Sequence, residues 1–262
     1  MELIEGDRLP GRPAVTPSVL GFALAGCGPG DTAPSLLEPR TDVAVDGNGE
    51  VVGAIGWAIR AQDGNGLLLW LHCAKDDQTI SQGLVRHMLG RMGRRMVHAF
   101  AAPTALSFAG LPVGNRHGTA VALETEGFSR QGGWNYLHCN LDTLRRLPYE
   151  VIDITDCTDP YGWYVRLREK NGSPIGRAVV SRPVEGTAVL EWITLAQEAD
   201  QSGHLLLRQC LAHLADRGIR ELAVLLDMPS DRSCDSQDPV GALHRQAGFQ
   251  QIDQLHPYTR RP

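Results

Sequence analysis

The spacing of apolar residues along the chain switches between a period of two and a period near 3.6, and it does so in the same order in each half. In the first half the turn Asp46-Gly-Asn-Gly49 separates two strand-like runs, the second being Glu50–Ile59. A second turn, Gly64-Asn-Gly66, leads into the apolar run Leu67–Cys73, which predicts a hairpin. Polar residues 75–82 follow, and then Leu84, Val85, Met88, Leu89 and Met92 recur at helical spacing. A strand over Met96–Ala101, a short helix over Thr119–Glu126 ending at Gly127-Phe128, and a strand over Trp134–Leu141 complete this half.

The second half reads alike. A strand over Trp163–Leu167 reaches the turn Lys170-Asn-Gly172, followed by Ile175–Val180 and Ala188–Leu195. Polar residues 196–202 precede a helix carrying Leu205, Leu206, Cys210, Leu211 and Leu214, which Gly218 stops as a C-cap. A strand over Glu221–Leu226 and a helix over Val240–Ala247, ending at Gly248-Phe249, close the series. Gly83 and Gly203 lie 120 apart, Gly127 and Gly248 lie 121 apart, and Gly53 and Gly176 lie 123 apart. Three coincident glycines with matching elements between them predict two copies of one α/β unit. The expected domains are 1–145 and 146–262, joined through a linker over 142–157. The first copy carries a leading segment with a helix over Pro17–Ala25 and the loop Gly26–Asp31; the second copy lacks leading helices.

Composition narrows the function classes. A chain of 262 residues that is 42% hydrophobic can bury a core in each of two domains. A net charge of −5 argues against a broad nucleic-acid surface, which needs a basic footprint. The opening residues MELIEGDRLP lack the basic head and apolar core of a secretory signal, and the apolar stretch Val19–Cys27 is too short to span a bilayer. The expectation is a soluble, cytoplasmic protein with no membrane partner. Cys27, Cys73, Cys139, Cys157, Cys210 and Cys234 are scattered without a CxxC pair, so reduced thiols and no metal site are expected.

Each half resembles the GNAT superfamily of N-acetyltransferases, and the whole resembles a tandem GNAT protein, over about 41–141 and 150–258. The resemblance implies, in each half, a mixed, mostly antiparallel twisted sheet flanked by helices. It also implies an acyl-CoA loop of pattern Q/R-x-x-G-x-G/A at a helix start, where glycines and unpaired N–H groups cradle a pyrophosphate. Gln78-Thr-Ile-Ser-Gln-Gly83 matches at its first residue and last glycine, with Ser81 in place of the middle glycine. Glu198-Ala-Asp-Gln-Ser-Gly203 keeps the last glycine, and Glu198 and Asp200 would oppose a polyanion. On this basis the first copy is the expected pyrophosphate site, with Asn115 opening the family's later motif there. In that motif Leu123 and His244 stand where the family places its tyrosine acid, so His244 is the candidate proton donor to the leaving thiolate.

The resemblance also implies roles on the strands. Leu71 and Cys73 would line the pantetheine arm through their backbones, with His72 on the other face as a candidate base. Glu191, aligned with Leu71, is a second candidate base. Tyr136 and His138 share a face of the last strand of the first half, as candidates for substrate contact and catalysis. The implied reaction moves an acyl group from a pantetheine thioester to the amine of a small molecule, with acetyl-CoA or another acyl-CoA as the default donor. A carrier-protein thioester and an aminoacyl-tRNA remain open as donors, tRNA being disfavoured by the net charge. Both antibiotic modification and biosynthetic amide formation suit the pattern, and a non-catalytic acyl-CoA or partner binder is the rival class.

Overall fold

Gly49 and Gly64 adopt φ of +83° and +70°, and these left-handed residues turn the chain at the ends of its first long strands. The computed structural model describes residues 1–25, 36–144, 151–158, 161–168, 173–195, 203–228 and 239–262. Two short helices lead, α1 (Glu2–Gly6) and α2 (Pro17–Leu24), and Thr16 caps the second by accepting from the Val19 N–H. The next elements are β1 (Leu36–Val45), β2 (Val51–Arg60), β3 (Gly66–Cys73), α3 (Gln78–Met92), β4 (Val97–Ala99), β5 (Leu111–Pro112), α4 (His117–Thr125), β6 (Ser129–Arg130) and β7 (Trp134–Asn140). The rest are β8 (Val151–Thr158), β9 (Tyr161–Arg168), β10 (Pro174–Ser181), β11 (Thr187–Leu195), α5 (Gly203–Asp216), β12 (Glu221–Asp227), α6 (Pro239–Ala247), β13 (Gln250–His256) and β14 (Tyr258–Arg260).

The chain forms two compact units, and neither is contiguous. One contains Met1–Arg8, Ala14–Trp134 and Asp253–Pro262; the other contains Leu9–Pro13 and Asn135–Ile252. The boundary expected near residue 145 falls inside the second of these units. In the first unit the strand order is β1-β2-β3-β4-β14-β6, with β3 and β4 parallel and the other pairs antiparallel. In the second the order is β7-β12-β11-β10-β9-β8, with β11 and β12 parallel and β8 through β11 antiparallel. Strand β7 follows α4 in sequence yet pairs beside β12. Strand β14 ends the chain yet pairs with β4 and β6.

Each unit buries its own core. In the first, Leu84, Val85, Met88 and Met92 of α3 pack with Ile55, Leu68, Leu71, Val97 and Tyr258. In the second, Leu207, Cys210, Leu211 and Leu214 of α5 pack with Val165, Ala178, Val180, Leu190 and Leu222. The periodicity read from the sequence gives the covering face of α3, and in α5 it gives Cys210, Leu211 and Leu214; Leu205 is 42% exposed there, and Leu207 packs into the core instead. One expected linker is a strand: Val151–Thr158 pairs with β9 along its length. Its Thr- and Asp-rich composition suits an edge position, where one side meets water. The loop Gly26–Asp31 lies outside the described residues.

Tyr258 is fully buried in the first unit although it comes from the chain's last strand. Tyr258→Ala should cost about 3–5 kcal/mol, read as a lowered urea midpoint. A fragment ending at residue 145 lacks β14, and it should show no cooperative unfolding transition.

Candidate functional site

The parallel pair β11–β12 in the second unit runs for only a short distance. Thr187 to Leu190 pair with Glu221 to Val224, and the register ends there. On the other side of β11, Val179 faces Trp192 while Val180 faces Leu190, so Glu191 is the extra residue of a β-bulge. A bulge bends its strand and re-aims the side chain. Past it a cavity of about 330 Å³ opens. Its walls are Leu190–Ile193 of β11, Val224–Asp227 of β12, and Val240 and His244 of α6. That volume falls in the range of small-ligand sites.

Two residues singled out from the sequence, Glu191 and His244, therefore line one cavity. Glu191 keeps contact with solvent, while the packing around it raises its pKa above the usual 4.5. His244 is 1% exposed and packs edge-on against Phe249 at 5.3 Å. Its Nδ1–H donates to the Val240 carbonyl at 2.8 Å. Gly203 is buried at the first residue of α5. Glu198 and Asp200 lie outside the described residues.

The first unit repeats the strand geometry and fills it differently. Strands β3 and β4 pair through Leu68 and Ala99, and Leu69 is the bulged residue between the Trp57–Leu68 and Gly56–Trp70 rungs. The bulges equate Glu191 with Leu69, and Trp192 with Trp70. This corrects the sequence alignment of Glu191 with Leu71, because a bulge shifts the register by a residue that periodicity does not show. Beyond the bulge stands Arg116, 3% exposed. Its Nη2 donates to the Leu71 carbonyl at 2.8 Å and to Thr119 Oγ1 at 2.9 Å. Its Nη1 pairs with Asp7 at 3.0 Å and its Nε with Asp76 at 3.2 Å. His72 Nδ1 donates to the same Asp7 carboxylate at 2.7 Å.

These contacts give the expected donor-site residues of the first copy partners within the protein. The Leu71 carbonyl is taken by Arg116. Cys73 Sγ lies 3.1 Å from Ser81 Oγ, which lies 3.2 Å from Thr119 Oγ1, and burial pushes the Cys73 thiol up. Gln78 and Gly83 are exposed on α3, but the Asp77 carboxylate caps that helix by accepting from the Thr79 and Ile80 N–H groups. Asp76 does the same at α4, accepting from Gly118 and Thr119. Asn115 donates its side-chain amide to the Asp7 carbonyl and its backbone N–H to Asp253. Carboxylates thus accept from the N–H groups at both helix starts.

Tyr136 and His138 belong to the second unit. The segment Leu9–Pro13 crosses β7 there as a strap. Buried Tyr136 donates its hydroxyl to the Pro10 carbonyl at 2.6 Å, and Gly11 N–H donates to Glu221 at 2.9 Å. His138 Nε2 lies 3.6 Å from the same Glu221 carboxylate. A Cβ on Gly11 would stand 2.7 Å from the His138 ring, so the strap passes where a side chain does not fit. Burial raises the Tyr136 pKa; it lowers that of His138, with Glu221 acting in the opposite direction. Neither residue lines the cavity. Periodicity gave no sign of the Asp7–Arg116–Asp76 cluster, since its members are far apart in sequence. The flag nearest to it was Asn115.

Among the described residues no group of three His, Cys, Asp or Glu side chains is arranged to hold a metal ion, and no helix is long and apolar enough to cross a membrane. No protein-family model and no curated protein matches the sequence. Solved structures do match. A GCN5-related N-acetyltransferase from Sphaerobacter thermophilus aligns at TM-score 0.55 and 14% identity, over 85% of this chain and 81% of that one. An acetyltransferase of the GNAT family from Colwellia psychrerythraea aligns at TM-score 0.55 and 12% identity, over 99% and 94%. A tandem GNAT protein from the clavulanic acid biosynthesis pathway aligns at TM-score 0.49 and 16% identity, over 98% and 94%. The chain has the GNAT fold.

Buried Arg116 pairs with two partly buried carboxylates. Arg116→Ala should destabilise the protein by about 3–5 kcal/mol, measured by urea unfolding, because Asp7 and Asp76 lose their shared cation.

Proposed function

We propose that the protein is an N-acyltransferase whose thioester site is the cavity of the second unit. The observation that carries this reading is that β11 and β12 part beyond Leu190 and Val224, and that Glu191 and His244 line the opening. Parted parallel strands offer unpaired N–H and C=O groups to the amides of a pantetheine arm. In the first unit the corresponding carbonyl of Leu71 is already bonded to Arg116. The donor site therefore moves from the first copy, where the loop sequence placed it, to the second. Acetyl-CoA is the donor to test first, and the fold of the N-acetyltransferases supports it.

The chemistry follows from the two side chains. Glu191, with its raised pKa, takes a proton from the acceptor ammonium and frees the amine lone pair. The amine attacks the thioester carbonyl and forms the C–N bond. The tetrahedral species collapses by breaking the C–S bond, and the leaving thiolate takes a proton from the protonated His244 imidazole. The remaining proton on nitrogen departs to solvent, giving the amide and a free thiol. Holding both reactants in the cavity supplies much of the rate.

Glu191→Gln should lower kcat about 100-fold or more, and His244→Gln should do likewise, measured as thiol release from acetyl-CoA with an amine panel. A pH profile gives a second check. The base form of Glu191 is lost as pH falls through its raised pKa, so the acidic limb of kcat/KM should lie above 4.5 and vanish in Glu191→Gln. Folding linkage has the opposite sign: a raised carboxyl pKa favours the folded state below 4.5 and loses that contribution as pH rises through the folded value. Glu191→Gln should therefore be inactive without being less stable at neutral pH. An unchanged turnover in both variants would overturn the assignment.

A further inference from the structure

The face of the second unit's sheet that lies away from α5 carries an unusual row of side chains. Arg166 of β9 and Arg177 of β10 are directly opposed across the antiparallel pair. Like charges at such a rung repel. Arg166 stacks on Tyr164 at 5.2 Å, Arg177 stacks on Trp192 at 5.6 Å, and the two rings meet at 6.2 Å. Among the described residues neither guanidinium has a carboxylate within ion-pair distance. Asp153, the cross-strand neighbour of Arg166, bonds Arg168 instead at 3.1 Å.

The first unit shows what this face carries when it is covered. Trp70, the counterpart of Trp192 at the bulge, is 3% exposed and packs with Ile4, Val15 and Ala23 of the leading segment. The counterparts of Arg177 and Arg166 there are the paired Ala54 and Val43. Trp192 is 38% exposed and also lines the cavity, so Arg177, stacked on its ring, stands beside one cavity wall, with Arg166 directly across the rung from it. A donor phosphate belongs at a helix start, on the α5 side of the sheet. Val165 and Ala178, which alternate with the arginines, point into the α5 core. The arginines therefore face away from that helix.

We infer that Arg166 and Arg177 bind an anionic group of the acceptor, so that the substrate is an amine that also bears a carboxylate or phosphate. This rests on the acyl-transfer reading above. Glu191 and Asp227 line the cavity and attract the ammonium, while the guanidiniums outside hold the anion. Fixed on aromatic faces, they present planar donor forks that match carboxylate and phosphate oxygens.

The test uses the full chain, acetyl-CoA, and matched amines: the twenty amino acids against their carboxamides, and O-phosphoethanolamine against ethanolamine. In at least one pair the anionic member should have a kcat/KM roughly tenfold or more above its neutral match. An Arg166→Gln, Arg177→Gln double variant should lose that preference through KM, with acetyl-CoA affinity unchanged. Equal rates for neutral and anionic members, a preference that survives in the double variant, or a loss of acetyl-CoA affinity would each overturn the inference. Should no amine turn over, calorimetric binding of the same anions decides. Binding by the wild type that the double variant lacks sustains the anion site and removes the acyl-transfer reading; no difference overturns the anion site as well. Glu191→Gln separates the two readings further, since it should abolish turnover and keep anion binding.

Discussion

The site depends on where one parallel strand pair stops. Backbone donors and acceptors inside a sheet need partners, and β11 and β12 pair with each other only as far as Leu190 and Val224. The bulge at Glu191 bends the strand at that point. The same local event opens the cavity, places a carboxylate on its wall, and turns Trp192 onto the outer face. His244 reaches the cavity from α6, fixed by its bond to Val240.

The first unit shows the same constraint with another solution. Its strands also stop pairing after a bulge, at Leu68 and Ala99. There the Leu71 carbonyl is satisfied by the Arg116 guanidinium, and Asp7 and Asp76 compensate that charge. A buried ion cluster of this kind tolerates no loss of a partner. A ligand that used the same backbone group would have to displace it. In the first unit a backbone group beyond the bulge thus already has a side-chain partner, supplied by residues far apart in sequence.

Much of the fold was legible in the spacing of apolar residues. The helices α3, α5 and α6 and the strands β2, β3, β9, β10, β11 and β12 follow the periods read from the chain, because each must bury one face. Glu191 and His244 were legible as candidates, and the structure brings them to one cavity. The bulges were not, since inserting one residue against a partner strand leaves no mark in a single strand's pattern. The acyl-CoA loop motif pointed to the first copy. It could not show that Asp77 already occupies the N–H groups at that helix start.

By itself the sequence determined the two copies of an α/β unit, the elements within them and the residue types available for acid–base chemistry. These are local properties, set by periodicity and turn residues. Tertiary structure decided which sheet each strand joins: β7 lies beside β12, and β14 lies beside β4. It also decided that Tyr136 and His138 hold a strap rather than line the cavity, and that Arg116 bonds the Leu71 carbonyl in the first unit. Strand partners and buried ion clusters join residues a hundred or more positions apart, and no local pattern encodes such pairings.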